Sequence, residues 1–316
     1  MSAEIRAVGP EAAAQVLSVV QAAFAARPVL DPPTEALAET EASVAAMLAP
    51  GGGLLAIVDG RPVGAVVLDP VGDAIYLRRF GVDPTAQGQG LAKALVRAAL
   101  AEAARRAAQV APGAVAPLRA VILAREELPR TVGFWRDMGF IETARHAPYV
   151  EMARPVPTVV EVDSAHDMHA LGVRLAGHLR PGDLLVLTGE LGAGKTTFTR
   201  GLGEGLGVRG AVTSPTFVIS RVHPSLGTGP ALVHVDAYRL GGRGELDDLD
   251  LDTDLDEAVT VVEWGSGLAE GLADARLEIR IARATALTEV DPEADPRLVE
   301  IDPVGLRWLG VDLRPD

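Results

Sequence analysis

The stretch Gly189-Glu190-Leu191-Gly192-Ala193-Gly194-Lys195-Thr196-Thr197 constrains this chain more than any other. It matches G-x-x-x-x-G-K-[ST] at every fixed position, the pattern of a loop that wraps nucleotide phosphates. Just before it, Asp183-Leu184-Leu185-Val186-Leu187 is a short apolar run suited to a buried parallel strand. After it, Thr197 to Leu206 reads as a helix. Strand, loop and helix in that order predict an α/β unit with a mainly parallel sheet. The glycines let backbone N–H groups turn inward around phosphate oxygens. Lys195 can then reach the β and γ oxygens of a bound ATP or GTP, and the Thr196 hydroxyl can ligate Mg²⁺. The plainer alternative is a glycine-rich turn that holds no ligand.

With 316 residues, the chain is long enough for two cores. It contains no cysteine, which excludes disulfides, thiolate metal sites and cysteine acyl intermediates. No apolar run of membrane-spanning length and no basic-then-apolar leader is present, so a cytoplasmic location is the default expectation. Charge is unevenly placed: residues 1–155 carry net -1 and residues 156–316 net -13. So acidic a second half is poorly suited to gripping a phosphate backbone itself, and any nucleic acid is expected to be handled through a partner.

The first half predicts a mixed α+β domain. Ile5 to Val8 reads as a strand, Glu11 to Arg27 and Glu35 to Leu48 as helices, and Pro50-Gly51-Gly52-Gly53 as a turn. Leu54 to Val58 and Pro62 to Leu68 flank Asp59-Gly60, a hairpin signal. Ala74 to Val82 is a further strand. Gln87-Gly88-Gln89-Gly90-Leu91-Ala92 then leads into a helix from Leu91 to Ala108, where free N–H groups at the helix start can hold a pyrophosphate.

Val82-Asp83-Pro84 followed by Gln87-x-x-Gly90-x-Ala92 resembles the acetyl-coenzyme A loop of the GNAT family of N-acetyltransferases. Leu118 to Leu123 resembles that family's next strand, and Thr131 to Phe140, with Phe134-Trp135 and Gly139-Phe140, its following helix and turn. The resemblance spans residues 1–155. It implies acetyl-coenzyme A bound through Val82, Gln87, Gly88, Gln89, Gly90, Leu91 and Ala92, and an amine acceptor of unknown identity. Many members have a tyrosine that protonates the departing thiolate; Trp135 stands there and has no suitable acid. Tyr149, Glu126, Glu127 and His146 are the other titratable candidates, each read first as a surface or structural residue rather than a catalyst. A strand N–H between Phe80 and Val82 is a candidate to polarise the thioester carbonyl.

Ala153 to Thr158, with Pro155 and Pro157, reads as a short stiff linker. Beyond it, Thr158 to Val162 predicts a strand and Ala165 to Leu179 a helix capped by Asp163-Ser164. His166, His169 and His178 read as surface positions. In Val212 to Val218, Thr213 and Ser214 are possible Mg²⁺ or water contacts, or parts of a plain turn. Leu232 to Asp236 puts a carboxylate at the end of an apolar strand, and Ala258 to Val262 ends at Glu263-Trp264 with a second. Asp236 is a candidate Mg²⁺ holder, and Glu263 a candidate to orient water or complete the metal shell. Trp264 reads equally as a nucleotide contact or a core residue. The aspartate-rich Glu245 to Glu257 lacks the glycine and glutamate of a calcium loop and reads as a solvated or partner-facing segment. Leu277 to Ile281 and Leu298 to Ile301 are expected to finish the sheet.

Gly189 to Arg200, Val212 to Phe217, His234 to Leu240 and Glu263-Trp264, in this order, resemble the TsaE family, over residues 158–316. The resemblance implies a Mg²⁺-dependent ATPase that works with a TsaB–TsaD pair in making N6-threonylcarbamoyladenosine on transfer RNA. Its nucleotide and metal residues fall on Lys195, Thr196, Asp236 and Glu263. The expected organisation is a GNAT-like domain over 1–155 and a TsaE-like ATPase over 156–316. The rival readings are a phosphotransferase with a small acceptor, and a non-catalytic regulatory subunit that binds nucleotide and acetyl-coenzyme A.

Overall fold

The computed structural model describes residues 3–111, 114–215, 219–240, 245, 256–283 and 296–315. It divides into two compact units, Met1–Val156 and Pro157–Asp316. Among the described residues no helix is long and apolar enough to cross a membrane.

The first unit runs β1 (Glu4–Val8), α1 (Ala13–Ala25), α2 (Glu41–Gly51), β2 (Gly53–Val58), β3 (Arg61–Val71), β4 (Ala74–Val82), α3 (Leu91–Ala108), β5 (Arg119–Arg125), α4 (Pro129–Asp137), β6 (Ile141–His146) and β7 (Tyr149–Pro155). Its seven-stranded sheet has the order β1-β2-β3-β4-β5-β7-β6. Neighbouring residues of a strand face opposite sides. Leu54, Val66 and Leu68 therefore pack on Leu95, Val96 and Leu100 of α3, while Leu55 and Val67 pack on Val16 and Val20 of α1 and Leu48 of α2. Asp59 (φ 50) and Gly60 (φ 76) make the β2–β3 turn with the positive φ pair that tight hairpins require.

Several sequence expectations are corrected here. The run Glu35 to Leu48 is a short 3-10 turn, Glu35–Leu37, followed by α2, because Thr40 and Ser43 exchange capping hydrogen bonds that start a new helix. Helix α2 continues through Pro50 and Gly51, so the turn narrows to Gly52 (φ 62). The helix expected over Glu11 to Arg27 begins at Ala13, after a 3-10 turn at Pro10–Ala12, and ends at Ala25. The linker shrinks as well: β7 extends through Pro155, Val156 is buried in the first unit's core, and β8 starts at Thr158.

The second unit runs β8 (Thr158–Val162), α5 (Ala165–Ala176), β9 (Leu184–Gly189), α6 (Lys195–Gly205), β10 (Ser220–His223), β11 (Ala231–Asp236), β12 (Ala258–Glu263), β13 (Arg276–Arg283) and β14 (Arg297–Val304). The sheet order is β10-β11-β12-β9-β13-β14-β8. The four central strands β11, β12, β9 and β13 are mutually parallel, and the edges are antiparallel. Leu185, Leu187, Val261 and Ile279 face α5 and α6; Leu184, Val186, Val233 and Val262 face the other side. Ser164 caps α5, accepting from the Asp167 N–H, and the helix stops at Ala176, short of the expected Leu179. Helices α5 and α6 touch through their backbones. A Cβ on Gly201 would lie 2.0 Å from the His169 carbonyl oxygen, and one on Gly172 2.3 Å from that of Phe198. Without side chains at these crossings the two helices close on each other, and the first turn of α6 reaches the end of β12, where Thr196 donates to Glu263.

Candidate functional site

The parallel register places the site of the second unit. Asp236 pairs with Glu263 at the carboxyl ends of β11 and β12, and Glu263 pairs with Leu187 of β9, two residues before that strand enters the glycine loop. Two carboxylates and the loop thus share one sheet edge, where open α/β sheets bind ligands.

Within the loop, Gly192 (φ 78) and Gly194 (φ 110) take the left-handed backbone that side chains disfavour. Gly194 opens α6, which leaves the helix's first N–H groups facing the loop. Gly189 is held by space: a Cβ there would meet the Ile281 carbonyl oxygen at 2.5 Å. Glu190 and Gly192 are exposed and Ala193 is buried. Leu191 is 84% exposed at the tip, so its side chain has no packing role. Thr196 and Thr197 are half-buried in the first turn of α6.

Lys195 is buried, and its Nζ donates to the carbonyls of Gly189 (2.8 Å) and Glu190 (3.0 Å). The ammonium lies 3.8 Å from the centre of the Trp264 ring. Burial pushes its pKa down, while the charges of Glu263 and Asp236 push it back up. Glu263, buried, accepts from Thr196 Oγ1 at 3.1 Å and His234 Nε2 at 2.9 Å; Thr199 Oγ1, which donates to the Lys195 carbonyl at 3.0 Å, lies 3.4 Å from it. Asp236 accepts from Ser214 Oγ (3.1 Å) and from the Tyr238 N–H (3.1 Å). Trp264, at φ 61, turns off the end of β12 with its N–H on the Leu187 carbonyl, and packs 5.1 Å from the Tyr238 ring.

Lys195, Thr196, Asp236, Glu263 and Ser214 are thus brought to one place. Thr213 is not; its hydroxyl accepts from Arg221. Thr216 and Phe217, and all of Glu245 to Glu257 except Glu245, Asp256 and Glu257, lie outside the described residues. Sequence reasoning gave no role to Thr199 or His234. Their signals were a hydroxyl one turn after Lys195 and an imidazole two residues before Asp236, on one strand face.

The oxygen donors Thr196, Asp236 and Glu263 are the hard ligands Mg²⁺ takes, and Mg²⁺ is commonly bound by one or two carboxylates plus phosphate and water. No cluster of three or more His, Cys, Asp or Glu suited to a metal occurs among the described residues. Lys195, buried beside two carboxylates and reaching only loop carbonyls, fits a phosphate group between it and the loop.

In the first unit, Gly88 (φ 81) and Gly90 (φ 76) precede α3, with open space where a Cβ would stand. Gln87, Gly88, Gln89 and Gly90 are exposed, whereas Leu91 packs with Val63 and Ala86, so it can serve a ligand only through its N–H. Val82 packs against the same cluster. Asp83 fixes the turn after β4: it accepts from Thr85 N (2.9 Å) and from Arg61 (2.8 Å). Its carboxyl is held below the usual range, chiefly by Thr85 hydrogen bonds. This exposed glycine turn ahead of a long helix fits a pyrophosphate.

Strand β4 pairs with β5 only over Ala74–Tyr76, and it bulges against β3 at Arg79 (φ 52). Beyond Tyr76 the two strands part around a cavity of about 360 Å³. Tyr149 lines this cleft, with the Arg125 guanidinium 5.3 Å from its ring centre. Trp135 is buried among Phe80, Phe134 and Phe140. Glu127 is paired with Arg125 and Glu126 with Arg145, and His146 is exposed on β6.

These arrangements define a phosphate-loop nucleotide-binding fold in the second unit and an acyltransferase-type fold in the first. The family model "Threonylcarbamoyl adenosine biosynthesis protein TsaE" matches residues 162–289, and that of the "Acetyltransferase (GNAT) family" matches residues 19–140. The TsaE protein of Streptomyces coelicolor is 62% identical over 147 residues, spanning 46% of this chain and 97% of the relative. That of Mycobacterium leprae is 54% identical over 129 residues, spanning 38% and 80%. The crystal structure of the ribosomal-protein-S18-alanine N-acetyltransferase from Escherichia coli aligns at 19% identity and a TM-score of 0.39, covering 49% of this chain and 94% of that one. The chain belongs to the TsaE family and carries a GNAT-family domain ahead of its TsaE region.

Proposed function

We propose that this protein is a Mg²⁺-dependent ATPase that supports N6-threonylcarbamoyladenosine synthesis on transfer RNA together with a TsaB–TsaD pair, and that its first unit is an acetyl-coenzyme A-dependent N-acetyltransferase. ATP hydrolysis is assigned to residues 156–316 and acetyl transfer to residues 1–155. The observation that carries the ATPase reading is the in-register pair Asp236 and Glu263 beside the glycine loop. The names of the TsaE relatives support the pathway.

Lys195 and the loop N–H groups position the phosphates, and Thr196, Asp236 and Glu263 would hold Mg²⁺, which neutralises phosphate charge when bound. Glu263 also orients water, and His234 keeps its carboxylate fixed. The net charge of -13 on the second half disfavours direct contact with transfer RNA and supports access through the partners. Such a chain acts in the cytoplasm. In the first unit, the loop from Gln87 to Ala92 with Val82 holds the cofactor, and the β4 bulge presents backbone N–H groups to the thioester. The test is steady-state ATP hydrolysis by the full chain, alone and with purified TsaB–TsaD. Slow turnover raised by the partners is expected; turnover indifferent to them, with phosphate passed to a small molecule, overturns the reading.

A further inference from the structure

The cleft between β4 and β5 is lined by four arginines: Arg27, Arg78, Arg79 and Arg125. Three are already neutralised. Arg78 pairs with Asp69, and Arg79 donates to Glu39 at 2.9 Å and lies 3.8 Å from the exposed Glu35. Arg125 pairs with Glu127 at 2.7 Å and donates to the carbonyls of Pro32 and Asp31. Arg27 differs. It is half-buried at the end of α1, and none of the described carboxylates lies within ion-pair distance of it. Its guanidinium stands 3.7 Å over the Phe24 ring, and one nitrogen donates to the Phe80 carbonyl at 3.2 Å. Phe80 follows Arg79 in the β4 bulge, beside the place where the thioester is expected. Burial alone pushes the Arg27 pKa down, with no counter-charge to offset it.

A guanidinium presents five N–H donors in a planar fork that matches a carboxylate. Arg27 spends one on Phe80 and keeps the others beside the cleft. A cation held in this way is stabilised when an anion arrives, because the desolvation cost has already been met by folding. The neighbouring carboxylates are engaged with Arg78, Arg79 and Arg125, so they do not compete for it. An acceptor that brings its own carboxylate would place it on Arg27 and its amine towards the bulge.

We propose that the acetyl acceptor of the first unit is an amine that carries a carboxylate close to the nitrogen, recognised by Arg27. The inference rests on the acetyltransferase reading above. In the transfer, the amine nitrogen bonds the acetyl carbon and the carbon–sulfur bond breaks with its electron pair going to sulfur. An ammonium and acetyl-coenzyme A give an amide, the coenzyme A thiol and one proton. Free amino acids and peptides with an acidic first residue both carry this chemistry; polyamines and peptides with neutral or basic first residues do not.

The test uses the full chain, acetyl-coenzyme A and a panel of these four kinds of amine, read by thiol release and product mass. Calorimetry with acetyl-coenzyme A alone is run in parallel. Acetylation of free amino acids, of acidic peptides or of both, in preference to the other two kinds, is expected. Arg27→Gln should raise KM for the preferred amine at least ~10-fold, by loss of a charge-assisted fork, with a smaller rise for Arg27→Lys. Both variants should bind acetyl-coenzyme A within twofold of the parent, which shows that the unit is folded. Preference for polyamines or for neutral or basic peptides overturns the inference, as does an unchanged KM in Arg27→Gln. Absence of acetyl-coenzyme A binding overturns the transferase reading and this inference with it.

Discussion

Lys195→Ala lowers Mg²⁺-dependent ATP turnover by at least ~10²–10³-fold, the usual consequence of removing a preorganised charge from a transferring group. Lys195 is the only lysine in the second unit, and its ammonium lies against the Gly189 and Glu190 carbonyls, within the field of Asp236 and Glu263. Among the described residues no other lysine or arginine contacts Glu263 or the loop carbonyls that Lys195 holds. Removing it leaves two carboxylates facing the phosphates, so repulsion adds to the lost attraction. Single-turnover hydrolysis, with nucleotide affinity measured separately, checks this. A turnover within threefold of the parent contradicts the role given to Lys195. Folding should survive, because the lysine's hydrogen bonds go to loop carbonyls that water can serve.

Glu263→Ala has a different signature, since it strikes folding and turnover together. Thr196 and His234 lose their acceptor while Thr199 keeps the Lys195 carbonyl, and His234 is fully buried with no partner on Nδ1 among the described residues. Leaving buried polar groups unpaired costs about 1–3 kcal/mol, which shifts the denaturation midpoint downward. Turnover falls by ~10²-fold or more, as when an active-site electrostatic group is removed. Glu263→Gln separates the two effects. Its amide keeps the size and one acceptor oxygen, so most of the stability returns, whereas the charge and the turnover do not. A Glu263→Gln chain that hydrolyses ATP normally contradicts the assignment of Glu263 to metal and water.

The parts legible in the sequence were those that local chemistry dictates. Gly189, Gly194, Lys195 and Thr196, set between an apolar run and a helix, announced the loop, and few residues other than glycine tolerate the φ of Gly194. That Asp236 and Glu263 end two strands was legible because each carboxylate closes an apolar run. Helix α3 was read at its true ends, Leu91 and Ala108, since glycine turns and an alanine-rich run mark it. The break after Leu37 was hidden in an unbroken alanine and glutamate pattern, and Ser43, not a glutamate, closes the capping box. Strand β10, four residues with an exposed Val222, has too little apolar content to signal itself. What no local pattern carries is register across the sheet. The His234–Glu263 contact joins two strands, and the approach of Arg27 to Phe80 joins a helix end to a bulge. Both depend on tertiary packing.

On the proposed function, ATP hydrolysis by this chain serves the modification of transfer RNA. The most direct measurement is the N6-threonylcarbamoyladenosine content of transfer RNA, by mass spectrometry of its nucleosides, in a TsaE-depleted bacterium that expresses the full chain. The parent chain should restore the modified nucleoside, and Lys195→Ala, expressed to the same level, should not. A parent chain that leaves the nucleoside absent, or a Lys195→Ala chain that restores it fully, would contradict the account.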